Sequence, residues 1–230
     1  MMNEFGQRIG ASVPRWKRRN LPGEKTLNGR YCRLERINLE KHGDGLFNVY
    51  GPQSPLENWT YMPIDSFEDR DAFNAYFSGL EQRLASAIYA IISSETNEVI
   101  GSISLMRIDP DNGTIEVGYV VYSDALKRTR MATEVQWLLG NYVFNELGYR
   151  RFEWKCDVLN QPSYNAALRY GFVFEGIFRN ALIYKGRTRD TAWFSIINDE
   201  WEALQKRYEV WLDPSNFDSQ GQQIKRLSDC

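Results

Sequence analysis

One stretch limits the architecture more than any other. "TIEVGYVVYS" alternates in hydrophobicity, "LKRTRMATEV" is a basic loop, and "EVQWLLGNYVFNEL" repeats at helical spacing. "RRFEWKCDV" then alternates again, with Phe152, Trp154, Cys156 and Val158 opposite Glu153, Lys155 and Asp157. A long helix between two strands is a crossover unit, so these strands are predicted to lie parallel and adjacent. Val135, Leu138, Leu139, Tyr142, Val143 and Leu147 form the helix's apolar stripe, and Gly148 stands where a left-handed C-cap is wanted.

The crossover follows a predicted three-strand meander. "ASAIYAIIS" and "VIGSISLMRI" are joined by "SETNE", and "DPDNG" then turns the chain into the third strand, since Asn112-Gly113 accepts positive φ cheaply. In that third strand Ile115, Val117, Tyr119 and Val121 are expected on one face, with Glu116, Gly118, Val120 and Tyr122 on the other. Downstream come a short helix, "QPSYNAALRY", and two strands, "FEGIFRNALIY" and "DTAWFSII", joined by "KGRTR". Upstream, "TLNGRYCRLERI" reads as one strand, and "GDGLFNVY" and "SFEDRDAFNAYFSGL" read as helices around "GPQSPLENWTYMPID". The tail "WLDPSNFDSQGQQIKRL" is expected to be ordered early and frayed late. This order lacks the repeated strand–helix alternation of a doubly wound dinucleotide fold. The predicted class is α/β in an α+β layout: a mixed, mostly antiparallel twisted sheet with helices on both faces. The expected organisation is an arm over 1–25, a domain over 26–200, and a helix and tail over 201–230 packed on that domain.

Composition narrows the function classes. The 230 residues are 43% hydrophobic and 25% charged, which suits a globular domain. A net charge of −2 excludes a generally basic nucleic-acid coat. The one basic run, "RWKRR", is read as a solvated arm whose Trp16 docks on the domain, in preference to a nucleic-acid or acidic-partner contact. Cys32, Cys156, Cys230 and the lone His42 lack ligand spacing, so neither a metal site nor a disulfide framework is predicted. His42 is read as a surface or capping residue. No apolar stretch approaches membrane-spanning length and the start lacks a signal segment, so a cytoplasmic protein with no membrane partner is expected.

"IEVGYVVYS", "TRMATEVQWLL" and "NQPSYNAALRYGFVFEG", in that order, resemble motifs of the GNAT superfamily of acyl-CoA N-acyltransferases, and most of all the branch of the ribosomal-protein N-terminal acetyltransferases. The resemblance covers roughly residues 26–200. It implies the acyl-CoA N-acyltransferase fold, acetyl-CoA as cosubstrate, an amine acceptor and no metal. It also implies that the strands flanking the crossover splay at their C-terminal ends and admit the pantetheine arm between them. The pyrophosphate then lands on the crossover helix's N-terminus, whose free N–H groups and dipole favour an anion.

Residue by residue, the resemblance places the pyrophosphate against Arg128, Thr129, Arg130, Met131, Ala132 and Thr133. The family's loop runs Gln or Arg, two residues, Gly, one residue, Gly or Ala. Here Lys127 keeps the first charge, Ala132 satisfies the last position, and Arg130 replaces the glycine. An arginine fits there only with a helical φ and a side chain directed away from the pyrophosphate, from where its guanidinium can curl back onto a phosphate. Backbone amides near Val121 and Tyr122 are expected at the oxyanion. Asn160 is expected to hold the cofactor arm and Ser163 to sit near the sulfur as the acid. Their alternative is to cap and open a short helix. Many relatives carry a tyrosine where this chain has Ala167, and Tyr164 is one step off that face. Glu116 is the candidate base, weighed against a surface glutamate paired with a neighbouring strand cation. Trp59 and Tyr61 are weighed as acceptor-site wall or core anchors. Arg187 and Asp190, in the "KGRTRD" hairpin, are candidates for acceptor recognition, weighed against a plain surface pair. Cys156 is read as packed, not nucleophilic.

The predicted activity is direct acetyl transfer to a primary amine of a small molecule or peptide N-terminus. Its rival is a catalytically weak CoA-binding or partner-binding protein that keeps the fold. A Rossmann-type methyltransferase is a third option, which the meander disfavours. A homodimer is compatible with the sequence.

Overall fold

The computed structural model describes residues 1–80 and 85–230. Its strands are β1 (Leu27–Asn28), β2 (Cys32–Arg36), β3 (Ala87–Ser93), β4 (Val99–Asp109), β5 (Thr114–Tyr122), β6 (Arg151–Asp157), β7 (Val173–Tyr184) and β8 (Arg187–Ile197). They form one sheet in the order β1-β2-β3-β4-β5-β6-β8-β7. Among the described residues only β5 and β6 pair in parallel, as the crossover requires, and the other neighbours are antiparallel. Among the described residues the α-helices are α1 (Leu39–Tyr50), α2 (Arg70–Phe77), α3 (Arg130–Asn141), α4 (Gln161–Arg169) and α5 (Asn198–Leu212).

Helices cover both faces. α3, α4 and α5 bury Val135, Leu139, Ala167, Trp201 and Tyr208 against Ile115, Val117, Phe152 and Phe194 of the sheet. α1 and α2 close an aromatic second core around Tyr50, Trp59, Phe73 and Phe77. The last turn of the crossover helix, Tyr142–Glu146, widens to π-helical geometry, and Gly148 at φ +68° ends it.

"TLNGRYCRLERI" is a hairpin instead of a single strand, with Leu27 opposite Leu34. Its turn is held from afar. The buried Glu134 carboxylate, on α3, accepts the N–H groups of Arg30 at 2.7 Å, Tyr31 at 2.7 Å and Cys32 at 2.8 Å. Gly29 is the residue that lets the carboxylate approach, since a Cβ there would lie 2.5 Å from Glu134 Cδ.

The expected alternation of β5 also fails partway. Tyr119 sits at φ +47°, and the register steps from Ser104↔Gly118 to Ser102↔Val121, so β5 gains one residue over β4. A bulge of this kind reverses the faces beyond it. Val120 and Tyr122 join Ile115 and Val117 against the larger core, and Val121 crosses to the aromatic core.

At the chain's start, Trp16 lies on the β4–β5 turn. Its indole donates to the Asp111 carbonyl at 2.6 Å, and Arg18 pairs with Asp111. The late tail is not frayed: Leu227 is buried and Asn216 ties the tail to Trp211 and Lys225. The first predicted helix begins earlier than expected, at Leu39, because the Asn38 side chain caps it by accepting from Lys41 N–H.

His42 is buried, not on the surface. Its Nδ1 accepts from Asn38 N–H at 3.1 Å and its Nε2 faces Glu35 at 3.2 Å. Burial lowers the imidazole's pKa below 6.5 despite Glu35. Burial raises that of Glu35, but hydrogen bonds from Lys41, Arg33 and His42 outweigh it and hold the carboxyl at about 2. Both groups have depressed folded-state pKa values, so both withdraw stability as pH falls. His42 acts first, below 6.5, and Glu35 follows between 4.5 and about 2. Urea unfolding of Glu35→Gln is expected to show a shallower loss than wild type below pH 4.5. Parallel pH profiles would remove Glu35 from the account.

Candidate active site

β5 and β6 are paired only from Thr114↔Arg151 to Val117↔Trp154. Beyond that, β5 continues to Tyr122 and β6 to Asp157 without touching as strands. The backbone groups that β5 turns toward β6 from Gly118 onward therefore lack a strand partner, in a position where amide groups demand one. The bulge at Tyr119 falls just past the parting point and bends β5 away. The result is a slot whose edge can pair with an extended, amide-bearing ligand.

α3 starts at the end of that slot. Thr129 caps it: its Oγ1 accepts from Ala132 N–H at 3.4 Å and donates to the Leu126 carbonyl at 2.7 Å. The N–H groups of Arg130 and Met131 form no hydrogen bond among the described residues. Two free amides and the helix dipole favour an anion here. The cations are placed differently from expectation. Arg130 is the first helical residue, and its guanidinium lies over the rings of Tyr31 at 4.3 Å and Phe217 at 5.5 Å. Lys127 is occupied by Asn58 at 2.6 Å and Asp124 at 2.8 Å. The left-handed residue is Arg128, at φ +61°, exposed and without a side-chain partner among the described residues. Ala132 is buried, Met131 packs against the core, and Thr133 is buried with its Oγ1 accepting from Arg169 at 2.9 Å.

Glu116 sits two residues before the parting point. It is buried, and its Oε2 is held by Lys155 Nζ at 2.6 Å, with Arg107 Nε at 3.5 Å. The ion pair weighed from sequence is therefore present, but it is buried and not on the surface. Lys155 also meets Glu153 at 2.8 Å and lies 3.7 Å from the Trp193 ring centroid. Arg107, at φ +46°, marks a second register shift in β4 opposite Glu116. Oε1 is left over. It forms no hydrogen bond among the described residues and lies 3.6 Å from where a Cβ would sit on Gly118, the first residue of β5 past the ladder.

Across the slot, Asn160 caps α4 by accepting from Ser163 N–H at 3.2 Å. The Ser163 hydroxyl accepts from the Trp154 indole at 3.1 Å, which leaves its own proton to donate. Cys156 is buried beside it. Burial raises its thiol pKa, the Ser163 contact only partly opposing, so it is a packed thiol. Ala167 is fully buried, and Tyr164 packs on Phe174 and Phe194, away from Ser163.

The acceptor-side candidates divide. Trp59 is 2% exposed, its indole bonded to Ser54 at 3.1 Å and its ring beside Tyr50, so it anchors the second core and does not line a cleft. Tyr61 instead bridges lobes, its hydroxyl donating to the Leu159 carbonyl at 3.0 Å, next to Asn160. Arg187 and Asp190 do not pair with each other. Arg187 donates to the Thr60 carbonyl at 2.8 Å, and Asp190 accepts from Asn180 N–H at 2.7 Å. Lys185 reaches the Trp59 carbonyl at 2.7 Å and Asp65 at 2.6 Å, so the β7–β8 hairpin is clamped to the loop between α1 and α2. Asp157, buried at the end of β6, accepts from Tyr184 at 2.9 Å and from Leu159 N–H at 2.9 Å. Lys155, Arg107 and Asp157 escaped the reading from sequence, although Lys155 and Asp157 share the polar alternation of β6.

Known proteins resemble this arrangement. Residues 33–173 match the family described as acetyltransferase (GNAT) domain. A crystal structure of a GCN5-related N-acetyltransferase from Brucella melitensis is 43% identical, covers 94% of this chain and 98% of its own, and superposes with a TM-score of 0.91. An uncharacterized N-acetyltransferase, p20, of Bacillus licheniformis is 34% identical over 49% of this chain. The ribosomal-protein-serine acetyltransferase of Escherichia coli is 37% identical over 44% of it. These matches span 63% and 55% of the lengths of the two relatives.

Proposed function

Because the chain belongs to the GNAT acetyltransferase family, we propose that it transfers the acetyl group of acetyl-CoA directly to a primary amine, on a peptide N-terminus or a small molecule. The observation that carries this reading is the slot between β5 and β6, with the unbonded Glu116 Oε1 two residues before Gly118, where the strands part. Bound acetyl-CoA supplies an acyl group activated on sulfur. Glu116 takes the ammonium proton, directly or through a water, and frees the amine lone pair to attack the acyl carbon. Backbone N–H groups near Val121 and Tyr122 stabilise the developing oxyanion. Ser163, whose hydroxyl proton is uncommitted to Trp154, protonates the departing sulfur as the carbon–sulfur bond breaks. Asn160 retains its side-chain N–H groups for the cofactor arm while its oxygen caps α4. Tyr61 and the clamped hairpin bearing Arg187 and Asp190 form the acceptor's wall.

Calorimetric titration with acetyl-CoA, followed by thiol release over a panel of peptides and amines, tests the reading. Binding and amine-dependent release are expected. Absence of acetyl-CoA binding would sink it. Binding without release for any amine would favour the CoA-binding protein that keeps the fold.

Arg128 gives a sharper test. A non-glycine residue in the left-handed region carries strain of about 1 kcal/mol. Arg128 carries that strain while exposed and unpaired, which fits a side chain kept for an anion. Arg128→Gly is expected to raise stability by up to about 1 kcal/mol. It should also weaken CoA binding several-fold and reduce its salt dependence. Gains in both stability and affinity would assign Arg128 no role.

A further inference from the structure

β8 opens with two arginines that no carboxylate answers. Arg187 and Arg189 lie two positions apart on the strand and therefore on one face of it. Neither forms an ion pair among the described residues. Arg187 donates to the Thr60 carbonyl at 2.8 Å, and Arg189 Nε donates to Thr191 Oγ1 at 3.0 Å, so each guanidinium keeps further N–H groups free. Neighbouring cations are matched differently: Lys185 meets Asp65 at 2.6 Å, and Lys155 meets Glu116 at 2.6 Å and Glu153 at 2.8 Å. Asp190 alternates to the opposite face of β8 and accepts from Asn180 N–H at 2.7 Å.

Both guanidiniums converge on the end of β6. Tyr184 is the ladder partner of Arg187, whose guanidinium lies 5.5 Å from the Tyr184 ring centroid. The Tyr184 hydroxyl donates to Asp157 Oδ2 at 2.9 Å, and Asp157 is the last residue of β6. Burial raises the Tyr184 pKa and the bond to Asp157 adds to it, while Arg187 and Arg189 both pull it down, as charges close to the hydroxyl do. Asp157 is a single carboxylate against two guanidiniums, and it is already held by Tyr184 and by Leu159 N–H at 2.9 Å. The group is left positive, a state that an added anion relieves. β6 also fixes this group relative to the proposed base. Lys155, which holds Glu116, and Asp157 stand two residues apart on one face of β6, roughly 7 Å along a strand. An acceptor amine at Glu116 is thereby brought within a side chain's length of the arginine group.

We propose that Arg187 and Arg189 bind a carboxylate of the acceptor, so that the acetylated amine belongs to an acidic molecule and not to a polyamine. The proposal rests on the acetyl-transfer reading above. The carboxylate has two sources, an acidic side chain next to a peptide N-terminus or the terminal carboxylate of a short peptide. Guanidinium groups present paired N–H donors that match carboxylate geometry. A polyamine brings only further positive charge to the same place and is repelled.

The test measures acceptor KM for two matched pairs: Ala-Asp-Ala-Ala amide against Ala-Asn-Ala-Ala amide, and Ala-Ala against its C-terminal amide. In wild type an acidic member is expected to show a KM on the order of 10-fold below that of its neutral partner, and the pair that does so names the source. Arg187→Gln/Arg189→Gln should erase the difference, with thermal unfolding as the check on folding. If that variant melts well below wild type, Arg189→Gln alone is read and should at least halve the preference. Equal KM within both pairs in wild type would overturn the proposal, and a preference that survives in the variants would overturn the choice of these arginines. If none of the four peptides is acetylated, calorimetry of the same peptides decides: tighter binding of an acidic member, lost in the variant, keeps the carboxylate site, and equal binding removes it. The transfer reading stands or falls separately, on the amine panel described above.

Discussion

Glu134→Ala is expected to lower the free energy of unfolding by about 3 kcal/mol, the cost of leaving several backbone donors without an acceptor. The substitution strips the acceptor from three N–H groups at the β1–β2 turn, and an unmet buried donor costs about 1–3 kcal/mol. Glu134→Gln keeps one acceptor oxygen but presents an NH₂ group to a donor, so roughly half that loss is expected. Urea unfolding measures both. A loss below about 1 kcal/mol in the alanine variant would mean that water satisfies the turn and that the carboxylate is dispensable.

Glu116→Gln is expected to reduce kcat on the order of 10²-fold, the usual worth of a positioned general base. CoA affinity should hold, because the proposed role of Glu116 is to take a proton from the acceptor amine and not to contact the cofactor. The amide keeps the shape and can still accept from Lys155, which separates proton removal from packing. Ser163→Ala should lose less, since water can replace a hydroxyl at the sulfur. Full activity of Glu116→Gln across the pH range would remove Glu116 from the chemistry and leave it as one end of the Arg107–Glu116–Lys155 ion-pair cluster.

The order of elements and the parallel crossover were legible because periodicity and punctuation agree there: Gly148, Pro162 and Asn112-Gly113 stand at element ends or turns. What escaped was set by contacts distant in sequence. Tyr119 has high strand propensity, and nothing local announces that it takes positive φ, so the reversal of Val120, Val121 and Tyr122 is invisible to a period-two reading. The β1–β2 hairpin depends on a carboxylate about a hundred positions away, at Glu134. Trp59 looked like a loop aromatic free to meet a ligand, but Ser54 and Tyr50 enclose it. Arg187 and Asp190 suggested a pair by proximity in sequence, while their partners, Thr60 and Asn180, come from another loop and another strand. Arg130 was read as standing in for a glycine. The conformational demand instead falls on Arg128, and the rings of Tyr31 and Phe217 explain where the Arg130 side chain goes.

The short seam between β5 and β6 has a thermodynamic corollary. Two sheet portions, β1–β5 and β6–β8, meet through a ladder that stops at Val117↔Trp154, so an amide-bearing molecule in the slot completes a sheet the polypeptide leaves unfinished. Such a molecule binds the folded chain and not the unfolded one, and mass action then adds RT ln(1 + [L]/Kd) to stability, roughly 2.7 kcal/mol at a hundredfold excess over Kd. The melting temperature of this protein in a cell would accordingly rise and fall with the supply of its acyl donor, and its lifetime against proteolysis with it.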